Sequence, residues 1–142
     1  MFEDKDFLNS INIAKWHVYA SSLVDCTFFC FSYLYKEKNY TKKDEAYKIF
    51  YEILNSEKAG GMNLQAYENA TKEFNLRYQK VNWLTHYSSQ PFVYSCNALY
   101  EWSPIADELK KLDKEIVLNS MLLKWNNIEN DFKRLTSKFD LN

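Results

Sequence analysis

The stretch VYASSLVDCTFFCFSYLY, residues 18–35, can be read in three ways, and the choice among them sets the fold. Its length approaches the ~20 apolar residues that span a bilayer. Asp25 stands near its middle, however, and a carboxylate at a bilayer centre costs about 2.5–3.5 kcal/mol on insertion scales. Stable membrane insertion is therefore not expected. The aromatic and β-branched residues of 28–35 would suit a strand pair, but no turn residue interrupts the run. What remains is a helix buried on most sides in a protein core, which also looks apolar all round.

Working outward supports that reading. Phe7, Ile11, Ala14 and Val18 repeat at steps of four, three and four, and Asp4 and Asp6 supply the carboxylates that suit a helix start. The spacing predicts a first helix over about 6–38. Asn39 and Tyr40 break it. Thr41 followed by Asp44 resembles a capping box, and Ala46, Ile49, Phe50, Ile53 and Leu54 form the stripe of a second helix. Gly60-Gly61 ends it. Asn63 is placed to cap a third helix whose face carries Tyr67, Ala70, Phe74, Tyr78, Val81 and Leu84. Gln90-Pro91 is a stop, because the residue before proline is pushed out of the helical region. A short helix is expected from about Ser95 within 92–102.

Ser103-Pro104 reads as the start of the last helix, with serine as cap and proline at the first helical position. Ile105, Leu109, Leu112 and Ile116 begin a stripe. Val117, Met121, Trp125, Ile128, Phe132, Leu135 and Phe139 continue it after a shift of one residue. This is a heptad-like seam with a stutter-like offset. A helix over 104–138 would be about 50 Å long, more than a compact domain of this size measures across. The expected fold is thus all-α: a single domain forming an elongated bundle of four main helices, with a short extra helical segment.

Composition agrees. Of 142 residues, 46% are hydrophobic and 18% aromatic, and there are only two glycines and two prolines. Disorder, collagen-like structure and turn-dense β folds are excluded on that basis. The net charge of -1 does not suit a nucleic-acid binder, which needs cations in surplus. Lys36, Lys38, Lys42 and Lys43 read as a solvated connection. Three cysteines and no basic, apolar leader point to a reducing compartment, the cytoplasm.

No catalytic constellation emerges. Gly-x-Ser-x-Gly, phosphate-loop and dinucleotide patterns are all missing, so no enzymatic activity is expected. The residues three before His17 and His86 are Ala14 and Trp83, so neither makes the Glu-x-x-His pair of a di-iron bundle. Cys26 and Cys30 share a helix face and supply two soft ligands, half of a closed zinc site. Asp25 is the most anomalous residue, since a buried carboxylate has to be paired, hydrogen-bonded or protonated.

Two functional expectations follow. The first is a non-enzymatic interaction or regulatory module, self-associating as a homo-oligomer such as a dimer, or binding a protein partner, through Trp125, Ile128, Phe132, Leu135 and Phe139. Tyr and Trp surplus suits such a surface. The second is a small-ligand or haem-binding bundle with Asp25, His86 and Tyr87 as polar anchors, since an axial histidine between apolar walls is what haem ligation requires. No cofactor is demanded by the pattern.

Overall fold

The computed structural model describes residues 5–104 and 107–138 and, within its last helix, the side chains of 114–116 and 118–138. These residues form five α-helices and a single turn of 3-10 helix: α1 (Lys5–Glu37), α2 (Asp44–Ala59), α3 (Leu64–Lys80), the turn His86–Ser88, α4 (Val93–Trp102) and α5 (Asp107–Thr136). All regular structure among the described residues is helical. No described helix is long and apolar enough to cross a membrane. The predicted side chains Asp4, Ile105, Leu109, Leu112, Val117 and Phe139 lie outside the described residues.

The 18–35 stretch is the interior of α1. Its buried positions, from Ala14 and His17 through Val24, Asp25 and Phe28 to Ser32, cover more than half the circumference. That breadth is why the segment has no clean amphipathic stripe. α1 packs against α2, α3, α4 and the 3-10 turn. Its end at Glu37 uses Asn39 in the left-handed region, with φ 53°, while the Lys38 and Tyr40 N–H groups both donate to the Leu34 carbonyl.

α2 starts without the expected side-chain cap: Lys43 occupies that position, and the Lys43 N–H donates to the Thr41 carbonyl at 2.9 Å. At its other end Gly60 closes on Ser56 and Glu57, and Gly61 adopts φ 105°. Asn63 does cap α3, its Oδ1 accepting from the Ala66 N–H at 2.9 Å.

α3 ends at Lys80, short of the predicted Leu84. Val81 is extended, and the Asn82 side chain accepts from the Leu84 N–H at 3.0 Å. That local bond offers the backbone an alternative to the helix. The turn sends Trp83 into the core and leaves Leu84 exposed. Ser32 fastens it to α1, donating to the Trp83 carbonyl at 2.8 Å and accepting from the Tyr87 N–H at 2.9 Å.

α4 begins at Val93, two residues before the position expected from the sequence. Ser103 closes α4, its hydroxyl and N–H both bonding the Leu99 carbonyl, while the first residues expected in the last helix after Pro104 lie outside the described residues. Two core clusters result. The larger joins Val24 and Phe28 of α1 to Phe50 and Leu54 of α2, Phe74 of α3 and Trp83. The smaller joins Phe29 of α1 to Phe92, Cys96 and Trp125, with Leu118, Met121 and Phe132 of α5 against it.

Candidate functional site

Asp25 stands at the junction of α1, α3 and α4 and is 0% exposed. Its Oδ1 accepts from the Arg77 guanidinium at 2.7 Å, and its Oδ2 accepts from the Ser95 N–H at 2.7 Å. Ser95 is the third residue of α4, and Phe92, at the cap position, has no polar side chain to offer it. Asp25 therefore performs from another helix the capping role that α4 cannot perform for itself. Burial pushes the Asp25 carboxyl upward, while Arg77 and the Ser95 N–H pull it back. Arg77 also bonds Glu73 at 2.8 Å and lies over the rings of Phe28 and Tyr94. Burial, then the neighbouring Glu73 and Asp25 carboxylates, push the Tyr94 hydroxyl up to about 12.

Glu73 and Tyr94 also face a half-open cleft of about 260 Å³ between α1, α3 and α4. His17, Asn69, Asn97, Glu101 and Trp102 contribute to its walls. The His17 ring is stacked on Trp102, 3.5 Å between centroids and 4° from parallel. It is 4% exposed, and its buried Nε2 has no hydrogen-bond partner among the described residues. Burial lowers its pKa, opposed by Glu101. A neutral imidazole, amides and carboxylates together can bind a small polar molecule by hydrogen bonds. The sequence offered little sign of this cleft: an i, i+4 reading links His17 to Ser21, but only packing brings α3 and α4 to them.

The three residues expected to anchor a ligand lie away from this cleft. Asp25 has both oxygens engaged within the protein. His86 meets Phe28 edge-on at 5.7 Å, and its buried Nε2 has no partner among the described residues. Burial, with Arg77 nearby, holds its pKa down at about 4. Tyr87 turns away, donating its hydroxyl to Glu37 at 2.7 Å. None of the three lines the polar cleft or a second, apolar hollow of about 360 Å³ beside Ile11, Val18 and Leu99. The polar cleft is also smaller than the roughly 300–1,000 Å³ of typical ligand pockets, so it does not hold a group as large as haem.

The seam residues on α5 divide. Trp125 is buried, stacked on Phe92 at 4.1 Å and 3°. Phe132 is half-buried against Phe29 and Tyr33. Ile128 and Leu135 are exposed. Trp125 and Phe132 thus belong to the core within one chain, because α1 and α4 present rings to that side of α5. Ile116, Leu122 and Leu123, also exposed, enlarge the outward apolar set.

The thiols are all free. Cys26 and Cys30 lie one turn apart on α1 with sulfurs 3.8 Å from each other. The Cys30 S–H toward Cys26 lowers the Cys26 pKa, and that same contact, with burial, raises Cys30. Among the described residues no three His, Cys, Asp or Glu side chains converge as a metal site. Comparison of the chain with protein-family models, with curated proteins and with solved structures finds no match.

Proposed function

We propose that this chain is a non-enzymatic interaction module of a reducing cytoplasm, self-associating as a dimer through the outer surface of α5. The observation that carries the reading is the exposure of apolar side chains along a helix of 30 residues, about 45 Å long. Ile116 is 65% exposed and Leu123 63%. They are seven residues apart and so share one face of α5, and a seven-residue repeat is the one by which two helices associate side by side; the exposed Ile128 and Leu135, also seven apart, lie on a second face about 120° round the helix. Apolar groups so arranged gain free energy when a partner removes them from water. In this reading the four longer helices act as an elongated bundle, with α4 as the short extra segment.

The test is the mass of the native protein by light scattering across a hundredfold concentration range. A dimer that becomes monomeric in Ile116→Lys/Leu123→Lys, with helical content unchanged, supports the reading. A wild-type monomer throughout, or a dimer untouched by these substitutions and by Ile128→Lys/Leu135→Lys, overturns it. Phe132→Asp is a poor probe, since that ring packs on Phe29 and Tyr33.

A second reading is favoured by His17: the cleft it lines binds a small polar ligand through an imidazole nitrogen that has no partner among the described residues. Native mass spectrometry of the purified protein tests it. An adduct that vanishes in His17→Ala supports ligand binding there; no adduct, with no thermal shift from any polar metabolite, removes it.

A further inference from the structure

All three cysteines belong to one region of the molecule. Cys96 is part of the smaller core cluster, and Cys26, Cys30 and the Met121 thioether pack against it. Within that region the Cys26 and Cys30 sulfurs approach to 3.8 Å. Thiolate–metal bonds of about 2.3 Å place two sulfurs about 3.8–4.0 Å apart at tetrahedral to trigonal angles. The pair therefore already has the spacing of two ligands on one metal ion, set by a single turn of α1. Both residues are half-buried rather than sealed, which leaves an approach.

From this juxtaposition we propose that Cys26 and Cys30 form a two-thiolate site for a soft monovalent cation, Cu(I). Two features separate Cu(I) from Zn(II). Zinc sites need four ligands, or three with water, and no third His, Cys, Asp or Glu among the described residues completes this one. Asp25, the adjacent acid, has both oxygens engaged by Arg77 and Ser95. Cu(I), in contrast, is selected by thiolate and thioether donors and accepts trigonal three-coordination, whose ligand angle suits the 3.8 Å sulfur separation. Met121, whose thioether packs on the same core cluster as the two cysteines, is the candidate third donor, and the rings of Phe29 and Phe92 belong to that cluster. Binding breaks two S–H bonds and forms two Cu–S bonds. Two protons pass to solvent, the cation leaves its carrier chelator, and no electron is transferred. The site is independent of self-association through α5.

The test is an anaerobic titration of the reduced, full-length protein with Cu(I) presented as its bicinchoninate complex. One equivalent should transfer to the protein, and X-ray absorption should show sulfur ligands alone. With one thiol in place the second binds intramolecularly, so Cys26→Ser or Cys30→Ser should each weaken binding about 100-fold or more. Cys96→Ser should weaken it less than about threefold, as expected for a neighbour that is not a ligand. Copper that stays with the chelator overturns the proposal, as does a Cys96→Ser loss equal to that of Cys26→Ser. If a serine variant fails to fold, the wild-type protein still decides. One equivalent of Cu(I) should block alkylation of Cys26 and Cys30 together; alkylation of both at the metal-free rate overturns the site.

Discussion

The two core clusters share α1 and differ in how they are closed. Around the first, three helices surround a stack of rings: Phe50 and Phe74 lie parallel with centroids 4.0 Å apart, and Phe28 meets both Phe74 and Trp83. Ala20, Ala46, Ala66 and Ala70 are all buried there, and their small side chains let the helices approach closely. The second cluster is made where α4 and α5 meet α1 at Phe29, about 100° round the helix from Phe28. Its Phe92–Trp125 stack is equally close, but α5 contributes one row and turns Ile116, Leu123, Ile128 and Leu135 outward. The difference is one of redundancy. A residue of the first cluster is held from three helices, whereas the described core side chains of α5, Leu118, Met121, Trp125 and Phe132, meet one cluster. Asp25 and Arg77 join the two regions, since they tie α1 and α3 to the start of α4.

Breaking that tie should have the largest effect. Arg77→Met leaves the Asp25 carboxylate buried without its counter-ion, and loss of one partner of such a pair costs about 3–5 kcal/mol. Urea denaturation should show a lower midpoint for the whole chain. If the loss stays under 1 kcal/mol, the ion pair does not link the two regions.

Phe74→Ala and Trp125→Ala set the clusters against each other. Emptying a buried aromatic site costs about 3–5 kcal/mol, and the first should sit at the upper end because its neighbours cannot collapse inward from three sides. Trp125→Ala should fall nearer the lower end and act locally. Hydrogen exchange should accelerate across α5 and α4 while α2 and α3 remain protected. Uniform acceleration would mean that the two clusters unfold as one unit.

Acid should weaken the His86 side of the first cluster. His86 is held neutral down to about pH 4 in the folded chain, whereas an unfolded histidine protonates near its ordinary value of 6.5. The unfolded state therefore binds more protons in that window, and stability falls as pH drops from about 6.5 to about 4. The loss from this one group is about 2 kcal/mol after allowance for the water that still reaches the ring. His86→Gln should flatten the profile by that amount; an identical slope would show that other groups set the acid response.

The smallest effect on stability is expected outside both clusters. Leu123→Lys replaces an exposed side chain and should change folding by less than about 0.5 kcal/mol. A loss above 1 kcal/mol in the monomer would place Leu123 in a packed interface within the chain.

Much of the helical framework was legible in the residues. Asn63 caps α3 through its own side chain, and Gly61 takes the left-handed turn after α2. Each signal acts within a few residues of itself. The misreadings share the opposite property. Val81 and Leu84 continue a helical period, but Asn82 diverts the backbone so that Trp83 enters the core and Ser32 of α1 receives the turn. On α5, spacing placed Trp125 and Ile128 in one seam, and only the positions of α1 and α4 decide that the first is covered and the second is not.

The sequence by itself determined that residues 18–35 are helical, that Asp25 had to find partners, and that Cys26 and Cys30 lie on one face. These follow from the period of a helix and from the cost of burying a charge. Only the tertiary structure decided that the partners of Asp25 are Arg77 and the Ser95 N–H, 52 and 70 residues away. It also decided that His17 rests on Trp102 beside a polar cleft. Such pairings depend on how whole helices pack, and the residues that take part carry no local mark of one another.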